Sequence, residues 1–432
     1  MYPIPNQIFD HYNVGKLQTL MGLFAEINHA WVVIDNSLFL WDYTLSEPEL
    51  IGFEDQPHTI HAVALVPPKP GIFLDSITHI LAVATSSEMV LLGVAVSTTP
   101  AGTKSVALYQ TKMILPLRGS DVRVISGSAD GRIFFGGSND IDINELYYQS
   151  EEKWFSNRCG KINHTNPGWS SVVTLQSSFW TQKTPEYLVD IVIDDSRSLV
   201  YTLSSTSTIR TYHMESPSTL KKVIEKEKIS WLRDITHMSD DSKLLSSSMD
   251  IVSISPITKQ EAAKLHLMAL TNSGCRLFLS ATNASAFYSS PSNLAPQSMQ
   301  VQFIKFPSQD QGRKSLLPDP QQLKQSRQGA RFPPGYFLDF VSNGPDNTDT
   351  LFVAAPETGR IKDTSATSTV KFPESANWID IGSRAEAVGL ITKPFSAAAQ
   401  PLGFGNELAV QFDEEPSEFA VLTNTGVHVI RR

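Results

Sequence analysis

Seven times along the chain a short apolar run meets a tight polar turn and a second apolar run follows. The seven are AWVVIDNSLFLW (30–41), HILAVATSSEMVLLGV (79–94), RVISGSADGRIFFGG (123–137), SLVYTLSSTSTIRTYHM (198–214), LHLMALTNSGCRLFLS (265–280), TLFVAAPETGRI (350–361) and EFAVLTNTGVHVI (418–430). Each is rich in β-branched and aromatic residues. Asp130-Gly131, Ser273-Gly274, Thr358-Gly359 and Thr425-Gly426 supply turn chemistry, so each run reads as a hairpin. Recurrence at intervals of several dozen residues, without long helical stretches between, predicts sheet repeats. The fold class is therefore all-β: one seven-bladed β-propeller over residues 1–432, each hairpin supplying the inner or middle strands of a blade. The last hairpin stops with too few strands for a blade, so Tyr2 to Leu20 is expected to complete it.

Spacing between the hairpins widens after the third, which places insertions in the later blades. The first covers 214–260. Ser216 can cap a helix there, Pro217 suits its first position, and Leu220, Val223, Ile224, Trp231 and Ile235 fall near one face. A serine-rich segment, 239–257, follows. As a plain loop it needs no explanation; as a helix it would set Leu244, Leu245, Met249, Val252 and Ile254 beside a serine face, suited to loosely packed lipid. The second insertion, 306–335, is rich in Gln, Pro and Ser and reads as an exposed loop, because Pro318 and Pro320 rule out a regular helix. A third polar stretch, 396–418, precedes the last hairpin.

Composition narrows the function classes. A net charge of −9 offers no basic face for nucleic acid, and direct nucleic-acid binding is not expected. The chain has 2 cysteines, Cys159 and Cys275, too far apart for a paired metal-ligand motif and too few for a disulfide framework, which fits a reducing compartment. GxSxG, HExxH and phosphate-loop motifs do not occur. No cofactor is expected. Asp140, Asp142, Asn144 and Glu151 echo a calcium loop, but Glu145 stands where that loop needs glycine, and the alternation of 140–144 reads better as a half-exposed strand. Trp154 and Phe155, just ahead of Arg158 and Lys161, either fill the space between two blades or anchor a partner peptide.

These stretches resemble one family. Gly22 to Asn28 with Ala30-Trp31 and Leu38 to Trp41, then Asp130 to Phe134, then Trp154 to Ser156 with Arg158-Cys159 and Lys161 to His164, are similar to the large inner-ring scaffold nucleoporins of fungi and animals. The resemblance implies an N-terminal propeller fragment of a longer protein whose helical solenoid is absent here. It implies a non-enzymatic scaffold and adaptor of the nuclear pore complex, peripheral on the pore membrane at the nuclear envelope, that supports nucleocytoplasmic transport. Its implied partners are a peptide segment of a small linker nucleoporin, other inner-ring and membrane-anchored pore proteins, and curved membrane through a lipid-packing-sensor-like loop matching 214–257. Two other readings share the fold: a peptide-binding propeller of vesicle-coat or signalling type, and a propeller hydrolase with a polar channel.

Overall fold

The computed structural model describes residues 1–8, 19–54, 56–99, 103–150, 158–165, 185–236, 238, 248–282, 295–307, 325–342, 347–356, 374–393 and 415–431. A short strand β1 (Tyr2–Pro3) comes first. Blade 1 follows with β2 (Thr19–Phe24), β3 (His29–Ile34), β4 (Ser37–Asp42) and β5 (Ile51–Phe53). Blade 2 has β6 (Ile60–Val66), β7 (His79–Thr85), β8 (Glu88–Thr98) and β9 (Lys104–Pro116). Blade 3 has β10 (Val122–Gly127), β11 (Ile133–Gly137), β12 (Asn144–Tyr148) and β13 (Cys159–Asn163). Blade 4 has β14 (Leu188–Asp194), β15 (Leu199–Ser204), β16 (Ile209–Ser216) and β17 (Thr219–Lys226), with helix α1 (Lys228–Thr236) after it. Blade 5 has β18 (Ile251–Pro256), β19 (Leu267–Thr271), β20 (Arg276–Thr282) and β21 (Ser298–Lys305). Blade 6 has β22 (Ser326–Phe332), β23 (Tyr336–Ser342), β24 (Asp349–Pro356) and β25 (Glu374–Asp380). Blade 7 has β26 (Ala385–Leu390), β27 (Glu418–Thr423) and β28 (Gly426–Arg431). Each of the seven sheets has 4 strands in sequence order, and β1 is the fourth strand of blade 7. The fold is the expected seven-bladed β-propeller.

Two compact units divide the chain: Met1–Asp195 with Thr425–His428, and Ser196–Asn424 with Val429–Arg432. In the first, blades 1 and 2 share a core in which Trp31, Val33 and Leu40 meet Leu81, Val83 and Leu92. Blades 2 and 3 share another, where Ile80, Met89 and Leu91 meet Ile133, Phe135 and Tyr148. Strands buried on both faces explain why the hairpins read as continuous apolar runs. In the second unit, Phe278, Phe337 and Phe352 join blades 5 and 6. Backbone bonds add to this packing: the turn between a blade's second and third strands reaches the next blade's inner strand. Ile60 N–H donates to Asp35 O at 2.9 Å, and Ser326 N–H donates to Asn272 O at 3.0 Å.

Several expectations need correction. Residues 214–226 are not helical: Ser216 and Thr219 close the β16–β17 hairpin, and Ile224 pairs with Thr211. Leu220, Val223 and Ile224 suit either period, and the open edge of β16 decides for the strand. Among the described residues of this insertion the helix is α1, where Trp231 and Ile235 are buried. Within 306–335, residues 326–332 form β22 rather than loop, and 308–324 lie outside the described residues. Segment 140–143 is irregular, held by Asp142 N–H donating to Asp140 Oδ1 at 3.0 Å, and the strand begins only at Asn144. Gly131 and Gly274 do sit in turns with φ of 83° and 79°, whereas Gly426 opens β28, where a Cβ would lie 2.3 Å from Tyr2 O. Thr358-Gly359 lies outside the described residues. Of Tyr2 to Leu20, Tyr2 and Pro3 pair with Val427 and Gly426, while Leu20 belongs to blade 1.

Candidate functional site

Blade edges are where a propeller can accept another chain, because an outer strand leaves one row of backbone N–H and C=O groups unpaired. The described outer strands are handled differently. β5 and β1 are short, with 3 and 2 residues. In the second unit α1 packs on β21. Asp234 of the helix accepts from Val301 N–H at 3.1 Å and pairs with Lys226 at 2.7 Å. Each of these strands ends its sheet, as do β13, β17 and β25, and β9 is the longest of them at 13 residues.

A bulge divides β9 into two halves. Leu92 faces Gln110 and Val90 faces Ile114, so Thr111, Lys112 and Met113 all stand opposite Leu91. Thr111 stabilises the irregularity: its hydroxyl donates to Leu91 O and accepts from Met113 N–H at 3.1 Å. The bulge adds two residues and so keeps the alternation in phase, but the covered face changes across it. Before the bulge Val106 and Leu108 pack toward blade 1; after it Met113 and Leu115 pack toward blade 3. Large apolar side chains are therefore left outside on both faces, and Tyr109 is 53% exposed and Ile114 45%.

Tyr109 stands opposite Gly93, and Ala107 opposite Ala95. A Cβ on Gly93 would come 3.2 Å from the Ile77 side chain, so Ile77 covers the glycine and forms an apolar surface beside the exposed Tyr109 ring. On the opposite face, half-buried Ile51, Val96 and Leu108 rim the core shared by blades 1 and 2.

A polar cluster bounds the Lys104 end of β9. The Lys104 ammonium donates to Glu26 O at 2.6 Å. Burial lowers its pKa, opposed by the Glu26 and Asp42 charges. Burial pushes the Glu26 carboxyl up and the His29 imidazole down. Asp42 Oδ2 is buried without a hydrogen-bond partner, while Oδ1 accepts from Thr44 N–H at 2.8 Å.

Ionisable clusters elsewhere are built as supports. Arg132 donates to both oxygens of Glu145, at 2.9 and 2.7 Å, and His164 meets the same carboxylate at 2.8 Å, all buried. Arg331 pairs with Glu261 at 2.7 Å. Among the described residues no group of three His, Cys, Asp or Glu side chains is placed to hold a metal ion.

The residues singled out from sequence fall elsewhere. Trp154, Phe155, Leu244 and Leu245 lie outside the described residues. Met249 is 2% exposed and Ile254 3%, and Val252 is half-buried against the core of blades 5 and 6. Residues 251–256 form β18, so Val252 and Ile254 sit on a strand, not a lipid-facing helix; Met249 and Ile254 fill the core. β9 itself escaped the hairpin pattern. Its signal is the run VALYQTKMIL (106–115), whose alternation breaks at Gln110 to Lys112 because of the bulge.

Known proteins bear on this geometry. A family model described as Nup133 N terminal like matches residues 1–429. Nucleoporin NUP170 of Chaetomium thermophilum is 55% identical across 99% of this chain, which corresponds to 31% of that relative. A nucleoporin of Schizosaccharomyces pombe is 33% identical over 99% of the chain and 34% of its own length. The chain thus spans about a third of these curated relatives. The crystal structure of the C. thermophilum Nup170 N-terminal domain in complex with Nup53 superposes with a TM-score of 0.88 and 55% identity. It covers 100% of this chain and 60% of that one.

Proposed function

Because the chain belongs to the nucleoporin family with a Nup133-like N-terminal domain, we propose that it is a non-enzymatic scaffold module of the nuclear pore complex. It acts at the nuclear envelope, in the inner ring, and supports nucleocytoplasmic transport. Its propeller binds a peptide segment of a small linker nucleoporin of the Nup53 kind, and the flanks of β9 receive that segment. The observation that carries this reading is the likeness, along the whole chain, to a domain solved together with Nup53. Exposed Tyr109 beside Ile77 supplies an apolar surface on which a short peptide can anchor.

Isothermal titration against peptides tiled along Nup53 tests the adaptor role. Saturable binding of one peptide at micromolar affinity or better supports it. Silence across the tiling would remove the linker contact from the propeller.

For membrane attachment, the reading keeps Leu244 and Leu245 as the contact candidates. Flotation with highly curved, loosely packed vesicles should carry the chain upward and should fail for the Leu244→Asp/Leu245→Asp variant. Equal flotation of both would end that role for these residues.

A further inference from the structure

We propose that β9 accepts its partner by strand addition, and that the added segment carries apolar residues followed by acidic ones; this rests on the adaptor reading above. The row of backbone groups on the outer edge of β9 is the first observation: the strand ends its sheet, and among the described residues no strand pairs beyond it. Proteins usually blunt such edges by shortness or by a covering element. Here β5 is short and α1 lies on β21, but β9 keeps full length.

Charge supplies the second observation. From Met89 to Ser120 the chain has no Asp or Glu, although it carries 44 acidic residues in all and a net charge of −9. The same interval holds Lys104, Lys112 and Arg118. Lys104 is tied to the Glu26 backbone. Lys112 and Arg118 are exposed, and neither has a carboxylate within ion-pair distance among the described residues. An edge with local positive charge on a negatively charged molecule selects an acidic segment and disfavours a basic one.

The side-chain surfaces add the third. A strand laid along Lys104 to Tyr109 would send alternate residues to the two faces of blade 2. One set would reach the apolar surface of Ile77 and exposed Tyr109, the other the rim formed by Val96, Leu108 and Ile51. The bulge at Thr111 to Met113 ends the regular edge, which limits the added strand to about six residues, the usual strand length. Lys112 and Arg118 lie past that end, where carboxylates following the apolar residues would meet them.

The experiment uses the complete chain and the Nup53 tiling. Amide hydrogen exchange is measured on the complex, and affinity is measured for wild type and for the Lys112→Glu/Arg118→Glu variant across a salt series. Strand addition predicts slowed exchange at backbone N–H groups within Lys104 to Tyr109. The variant should bind about tenfold more weakly at low salt, with a flatter salt dependence. Circular dichroism of the variant should match wild type, because both positions are exposed. Binding that leaves 104–109 exchange unchanged, or that ignores the charge reversal, overturns the proposal while the adaptor role stands. A tiling with no binder removes both.

Discussion

Arg276 and Glu374 stand 98 residues apart and meet in blades 5 and 6, where Nη1 donates to Glu374 Oε2 at 3.0 Å and Nη2 to Oε1. The guanidinium lies 4.7 Å from the centre of the Phe337 ring, and Lys305 reaches the same carboxylate at 2.9 Å. Two cations share one buried anion. Arg276 holds the Glu374 pKa down against the opposing effect of burial, and burial pushes the Lys305 ammonium down to about 8.

Glu374→Gln should therefore cost about 3–5 kcal/mol, since it leaves a buried guanidinium without its counter-charge. Replacing both partners, as Arg276→Met/Glu374→Leu, should restore much of the loss. Denaturant unfolding monitored by tryptophan fluorescence decides; a single variant as stable as wild type would refute the account.

Asp339, beside this cluster, is pushed up to about 7 by burial, although Ser326 Oγ donates to it at 2.6 Å. A carboxyl that is harder to ionise folded than unfolded weakens the fold as pH rises from its unfolded value, near 4, to about 7. Above that the penalty is constant. Asp339→Asn, which stays neutral, should gain on wild type by up to a few kcal/mol between pH 5 and pH 8. Melting curves at the two pH values test the sign; a variant that loses ground at pH 8 would contradict it.

Trp231 is fully buried on α1, and its indole Nε1–H donates to Ser207 O at 3.0 Å. Trp231→Ala should cost about 3–5 kcal/mol and loosen the cover over β21. Faster amide exchange in Ser298–Lys305 is the expected local signature. Unaltered exchange there would mean that the helix does not protect the edge.

Removal of residues 1–8 should take β1 from blade 7, along with buried Ile4 and Ile8. The edge of β28 then loses its partners at Gly426 and Val427. A fall of more than about 5 °C in Tm is expected, and an unchanged melt would show that Tyr2 and Pro3 do not contribute.

At the site, Tyr109→Ala should weaken the Nup53 peptide by about tenfold or more without moving Tm, because the ring is exposed. Unaltered titration would place the peptide away from Tyr109.

The hairpins themselves were legible because their local period and their burial agree. In β3, β4 and β7 nearly every residue is buried, so each strand is an unbroken apolar word. Turn residues such as Gly131 and Gly274 mark the ends through backbone conformations that a side chain would strain. The number of blades and the fold class follow from counting those words.

Edges were less legible. Residues 219–226 suit a strand and a helix alike, and only pairing with β16 selects one. Met249 and Ile254, on a segment that could have turned apolar residues toward lipid, are buried once β18 joins its sheet. β9 hid its character because blade 1 covers one face of it before the three residues opposite Leu91 and blade 3 covers the other face after them. Local sequence thus determined the repeated hairpins, whose energetics lie mostly within neighbouring residues. The tertiary structure alone decided which edges are covered, which carboxylates meet which cations, and which apolar side chains stay in water, since each depends on partners dozens of residues away.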